Sequence, residues 1–129
     1  MGLKEIKVNS FVFQKLDVWQ KAVDFANDVI DASEALDTAR KHFRLVEQLE
    51  SASTSIALNI AEGKGRYSKK EFIQFLYIAR GSLYETVTLL CIFEKRGWIS
   101  SEKCKEFCCK AEELAKMIVG LINSIKKSL

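Results

Sequence analysis

Apolar residues recur along this chain at alternating steps of three and four in four separate stretches, the spacing that aligns one face of an α-helix. Leu16, Trp19, Val23, Ala26 and Ile30 form the first series and place a helix from about Lys15 to about Leu36. Phe43, Val46, Leu49, Ser53, Ile56 and Ile60 form the second, which predicts a helix from about Thr38 to Glu62 with Asp37-Thr38 as its N-cap. The third carries Phe72, Phe75, Leu76, Ala79, Leu83, Thr86, Leu90 and Phe93 and stops at Gly97, a suitable left-handed residue just past a helix end. Phe107, Cys108, Ala111, Leu114, Ala115, Ile118, Leu121, Ile122 and Ile125 form the fourth. Ahead of them all, Val8, Phe11 and Phe13 supply apolar anchors to an extended entry segment.

Between these series the polar residues act as punctuation. Gly63-Lys64-Gly65 interrupts the pattern and predicts the end of the second helix. Ser68 and Glu71 then have the spacing of a capping box, and Tyr67 can staple onto Phe72 from outside the helix. Ser100 or Ser101 caps the fourth helix, with Glu102 in its first turn. Helices of roughly 22 to 28 residues, about 33 to 42 Å long at the α-helical rise, joined by short links, predict an all-α, antiparallel, up-down-up-down four-helix bundle. Residues 1–129 are expected to form a single domain with a short extended N-terminal segment.

The third helix has more apolar surface than one core needs. Ile73, Tyr77, Tyr84, Val87 and Cys91 make a second stripe about a third of a turn from the first, and Ile78, Leu89 and Ile92 lie on yet another side. Ile73, Tyr77, Tyr84 and Val87 therefore read as a subunit interface of a homo-oligomer.

Composition narrows the class. At 48% hydrophobic and 29% charged the 129-residue chain has the content of a folded protein, and no proline and six glycines are too few turn-formers for an all-β sandwich or barrel. No continuous apolar run approaches the roughly 18 residues of a membrane span, and Met1-Gly2-Leu3-Lys4-Glu5-Ile6 lacks both the apolar core of a signal peptide and the hydroxyl residue of a myristoylation motif. A cytoplasmic protein without a membrane association is expected. Cys91, Cys104, Cys108 and Cys109 lack CxxC spacing and His42 is the only histidine, so the cysteines read as small apolar packing groups, with no metal and no cofactor. Inward-facing Glu and Glu-x-x-His ligands of a di-iron bundle are missing as well.

Charge divides the chain. Residues 1–62 hold seven Lys and Arg against ten Asp and Glu, whereas 63–129 hold thirteen against seven. The basic half opens with Gly63-Lys64-Gly65-Arg66-Tyr67-Ser68-Lys69-Lys70, which lacks P-loop spacing and a preceding strand. Lys64, Arg66, Lys69 and Lys70 could instead meet the phosphates of a nucleic acid while Tyr67 stacks on a base; the other reading is a solvated basic turn with its tyrosine engaged as a staple. No nucleophile and base pair accompanies Asn59 and Glu62. Asn59 reads as a helix-end hydrogen-bonding residue, Glu62 as a partner for Arg66 or a loop lysine, and His42 as an ordinary surface side chain.

Leu16-Asp17-Val18-Trp19-Gln20-Lys21-Ala22, Ser55-Ile56-Ala57-Leu58-Asn59-Ile60-Ala61-Glu62-Gly63, Gly65-Arg66, Ser68, Glu71-Phe72, Phe75-Leu76, Ile78-Ala79 and Gly81-Ser82-Leu83-Tyr84-Glu85 carry a family resemblance. Over residues 11 to 125 or so the chain resembles the four-helix-bundle family encoded in intervening sequences of bacterial 23S ribosomal RNA genes. That family is similar to the accessory variability protein of diversity-generating retroelements, a basic bundle that associates with nucleic acid and a reverse transcriptase. The resemblance implies a small bacterial bundle that assembles as a ring-like homo-oligomer, a pentamer, without catalytic activity. Two departures from the family pattern stand out: Ala57 stands where a proline is usual, and Glu50-Ser51 where a basic pair is often found. The expected function is a non-enzymatic oligomer that presents repeated basic surfaces to RNA, an RNA-containing assembly or a nucleic-acid-handling protein. A protein-interaction scaffold without nucleic-acid contact is the alternative.

Overall fold

The computed structural model describes residues 11–36 and 41–129, so Val8 and the Asp37-Thr38 cap lie outside the described residues. Four helices follow one another, α1 (Asp17–Glu34), α2 (Phe43–Lys64), α3 (Lys69–Lys95) and α4 (Ser101–Lys127), and no strand is present among the described residues. The described entry segment is not extended: Val12–Lys15 form a 3₁₀ turn. Gln14 closes it by accepting the Phe11 N–H at 2.9 Å, and Phe13 meets Trp19 edge-on at 5.2 Å, while Phe11 and Val12 stay exposed.

All four helices contribute to one continuous apolar core. Its most enclosed large side chains include Leu49, Ile56 and Ile60 of α2, Leu76, Leu83, Leu90 and Phe93 of α3, and Phe107, Leu114, Ile118 and Ile122 of α4. In α1 the core face differs from the expected one: Val18, Ala22, Phe25 and Val29 are buried, whereas of the expected series Ala26 alone is buried, Leu16, Trp19 and Ile30 are half-buried and Val23 is exposed. Both sets have helical period and sit one residue apart, about 100° around the helix, so periodicity alone cannot choose between them. Buried hydroxyls bond within their own helices, Ser33 to the Ile30 carbonyl (2.8 Å), Ser53 to that of Glu50 (3.0 Å) and Thr86 to that of Ser82 (2.8 Å), which leaves none of the three without a partner.

The α2–α3 packing is the most extensive in the chain, and Gly63 explains its closeness. The helix does not stop there but runs through to Lys64, with Gly65 as its C-cap. A Cβ on Gly63 would lie 2.6 Å from the Phe75 Cβ and 3.0 Å from a Phe72 ring carbon, so the missing side chain is where α3 crosses α2. Further along the pair, Ser55 and Ser82 hydroxyls meet at 2.9 Å and Gln48 donates to Glu85 at 3.3 Å. The other faces are tied by Lys69 to Ser128 and Tyr77 to Lys126 between α3 and α4, and by Lys21 to Glu113 and Asp28 to Lys110 between α1 and α4. The Ser33 hydroxyl shares its proton with the Glu50 carboxylate, which ties α1 to α2.

Ser68 caps α3 as its sequence spacing predicts, accepting the Glu71 N–H at 3.1 Å. The reciprocal half of the box is replaced by a contact between the Ser68 hydroxyl and the Glu71 carboxylate at 3.2 Å. At the other end Gly97 has φ 76°, and the bonds from Gly97 N–H to the Glu94 carbonyl and from Trp98 N–H to the Phe93 carbonyl, both 2.9 Å, form a Schellman motif. Ser100 caps α4 by accepting the Lys103 N–H at 3.0 Å. By length and composition α3 is apolar enough to cross a membrane, although it contains polar residues throughout; here its apolar residues pack on α2 and α4, and others remain on its outer side.

Candidate nucleic-acid interface

The basic turn joins α2 to α3, and its side chains divide into those held by the fold and those left to solvent. Arg66 pairs with Glu62 at 3.0 Å and lies 4.7 Å from the Phe75 ring centre, so its charge is locally balanced, in agreement with the expected Glu62 pairing. Lys64 rests 5.7 Å from the Phe72 ring centre. Lys69 donates to the Ser128 carbonyl and hydroxyl at 3.1 and 3.0 Å, while Lys70 is exposed. Tyr67 is fully exposed, so it does not act as the expected staple on Phe72. At that exposure the ring keeps both faces open to a stacking partner.

Tertiary structure adds two lysines that the local sequence does not group with this turn. Because the end of α4 lies beside the start of α3, Lys126 and Lys127 approach the end of the molecule where Lys69 holds Ser128. Lys126 and Lys127 suit the negative end of the α4 dipole, but Lys69 and Lys70 sit at the positive end of α3, where cations slightly disfavour the helix. Lys69 offsets this by its bonds to Ser128, while Lys70 stays exposed beside the helix N-terminus, where an anion is favoured.

Asn59 bonds within α2, its amide donating to the Ser55 carbonyl at 2.8 Å and the Ser55 hydroxyl at 2.9 Å, and it is Ser55 that meets Ser82 of α3. His42 is half-buried rather than an ordinary surface residue, with its ring 4.6 Å from Trp98.

On the outer side of α3, Ile73 is only 8% exposed and belongs to the chain's own core, so it drops out of the outward stripe. Val87 is half-buried against that core, leaving Tyr77 and Tyr84 as the exposed members of the four. The Arg80 guanidinium lies 5.0 Å from the Tyr77 ring centre and 5.7 Å from that of Tyr84. Lys126 donates to the Tyr77 hydroxyl at 3.0 Å and, by that bond, lowers its pKa from the usual phenol value. Beside Tyr84, a groove of about 540 Å³ is lined by Val87, Cys108, Ala111 and Ala115. The corresponding outer side of α1 and α2 holds a second groove of about 440 Å³, lined by Phe13, Trp19, Val23, Ile30, Ala57 and Leu58. Leu58 is 65% exposed on its rim. The series assigned by sequence to the α1 core thus lines a surface groove.

The cysteines do not all behave as separate packing groups. Cys91, Cys104 and Cys108 place their sulfurs within 4.8 Å of one another, while Cys109 is exposed. Burial and the neighbouring thiols push the Cys104 thiol up to about 12, and burial raises Cys108 as well.

These features describe an all-helical protein with one apolar core, a basic tyrosine-bearing turn and two apolar outer grooves. The chain belongs to the 23S rRNA-intervening sequence protein family, whose sequence profile matches residues 14–120. Its fold is also similar to the crystal structure of a protein of unknown function from the S23 ribosomal protein family of Bacteroides thetaiotaomicron. The TM-score is 0.76 at 27% sequence identity, covering 81% of this chain and 97% of that one. No curated protein matches the chain.

Proposed function

We propose that this protein is a non-enzymatic, single-domain, antiparallel four-helix bundle that assembles into a closed homo-oligomer and binds RNA, or an RNA-containing assembly, through repeated basic surfaces. The observation that carries the RNA reading is Tyr67, fully exposed in a turn with Lys64, Lys69 and Lys70. A side chain with so much apolar area and no packing role suits base stacking, while the lysines meet phosphates. Antiparallel order is supported by the contacts between helices: on α2 and α3, Gln48, Ser55 and Gly63 meet Glu85, Ser82 and Phe75 in turn.

Self-association is supported by the two grooves. In a bundle closed by α1–α2, α2–α3, α3–α4 and α4–α1 contacts, the α1/α2 and α3/α4 seams lie on opposite sides. Two different apolar faces on opposite sides suit a head-to-tail interface, which closes into a ring when the rotation between subunits allows it. A ring repeats the basic turn at fixed spacing and raises avidity through simultaneous contacts. The nearly wholly apolar α1/α2 groove also favours the alternative, a scaffold that receives another protein there.

The deciding experiment measures RNA affinity across a salt series for the wild type and for a variant with Lys64, Lys69 and Lys70 replaced by Gln, with oligomer size followed in parallel. Fewer phosphate contacts should weaken binding and flatten its salt slope, since each neutralised phosphate contributes to that slope. Tyr67→Ala should weaken binding by about 1–3 kcal/mol per stacked base with the slope kept. Equal affinities and slopes in all three proteins would remove the turn from the binding site. An intact oligomer that binds no RNA would transfer the assignment to the scaffold.

A further inference from the structure

Cys91 of α3 faces Cys104 and Cys108 of α4, and the three sulfurs all lie within 4.8 Å of one another. Cys104 and Cys108 are four residues apart and so share one face of α4, while the Cys104 thiol donates to the Leu90 carbonyl, next to Cys91, at 3.9 Å. Exposure is graded across the cluster: Cys104 is buried, Cys108 half-buried and Cys91 exposed. Cys108 also lines the α3/α4 groove.

We propose that Cys91, Cys104 and Cys108 form a binding site for one thiophilic metal ion, Zn²⁺ or Cu⁺. Sulfurs bound to one ion at about 2.3 Å stand about 3.8–4.0 Å apart, so closing the present spacing takes a contraction of at most about 1 Å, within the reach of side-chain torsions. Three soft donors with no imidazole in the set select zinc or monovalent copper over magnesium, calcium or manganese. Copper(I) is satisfied by three thiolates. Zinc takes a fourth donor, either water from the open side at Cys91 or the half-buried carboxylate of Glu94, one turn further along α3. Each sulfur that ligates does so as thiolate, and its proton passes to the buffer. Cys109, exposed and one residue round from Cys108, lies outside the cluster.

The sequence spacing conceals this site because its ligands come from two helices. Cys104 and Cys108 are separated by a helical turn rather than the two residues of a zinc-knuckle loop, and Cys91 is brought to them only when α3 packs on α4.

The test titrates the full-length protein, reduced with a phosphine and kept free of oxygen, with Zn²⁺ and separately with Cu⁺ against a coloured competing chelator for each. One ion per chain is expected in at least one arm, and the arm with the tighter binding identifies the ion. Loss of even an outer partner of a metal ligand typically costs about 10–100-fold in affinity, so Cys91→Ser and Cys108→Ser should each lower it by at least about 100-fold. Cys109→Ser should leave it unchanged. Because Cys91 is exposed, its variant keeps the test valid even where a change at buried Cys104 unfolds the chain. Cobalt(II) in place of zinc should give a thiolate-to-metal absorption that Cys91→Ser removes. Failure of both ions to compete with their chelators would overturn the site, as would binding that survives in Cys91→Ser but is lost in Cys109→Ser.

Discussion

Gly63 and Gly65 stand two residues apart and look alike as helix breakers, yet the structure gives them opposite roles. At Gly63 an added methyl group would meet the Phe75 Cβ at 2.6 Å, an atom fixed to the α3 backbone, so the two helices would have to part. At Gly65 the nearest atom outside its neighbours is a carbonyl oxygen at 3.5 Å and φ is −80°, which any residue can adopt. Gly63→Ala should therefore destabilise the fold by up to about 2 kcal/mol, an overpacking cost of up to about 3 less about 1 from helix propensity. Gly65→Ala should be neutral or stabilising by up to about 1 kcal/mol. Denaturant midpoints of the two variants check the difference in sign; equal shifts would mean that the crossing of α2 and α3 is not limited by Gly63.

At the scale of the element, α3 shows how local signals and packing share the work. Ser68 and the Gly97 Schellman motif define its two ends from local chemistry, and its length follows. Ser68→Ala should cost about 1 kcal/mol and fray the first turn, because the Glu71 N–H loses its acceptor. Hydrogen exchange should quicken at Glu71 while the amides around Leu83 stay protected; uniform loss along α3 would instead show that the cap governs the whole helix. The helix α1 is the contrasting case. It carries two adjacent apolar stripes, and the one with Trp19 and Ile30 proved to line a groove while Val18, Ala22, Phe25 and Val29 entered the core. Small residues such as Ala22 weigh little in a hydrophobic series, but they are what lets one helix approach another.

For the whole molecule, the ring reading makes a prediction that a symmetric dimer does not. Leu58→Glu places a carboxylate in the α1/α2 groove and Tyr84→Glu places one beside the α3/α4 groove, and an unpaired charge resists burial in either interface. Each variant alone should be a monomer of about the chain's 14.7 kDa with most of its helicity kept. Mixed together they should form a heterodimer, since each retains the face that the other has lost. Light scattering of the separate and mixed variants reads this directly. Monomers in the mixture would exclude the head-to-tail arrangement, and a wild-type monomer at micromolar concentration would exclude assembly itself.

The sequence by itself determined four helices, their order and most of their ends, because 3.6-residue periodicity, serine caps and the Gly97 terminator act over a few residues. It also marked the basic turn, whose residues are contiguous. Only the tertiary structure decided which stripe of α1 is core, that Ile73 is buried while Tyr77 and Tyr84 are not, and that Tyr67 has no packing partner. The same holds for Lys126 beside Tyr77 and for three cysteines from two helices within one ligand's reach. The physical reason is common to these cases: a helix with apolar residues on more than one side has several equivalent ways to be buried. The choice among them rests on the shapes of distant neighbours, which meet only when the chain has folded.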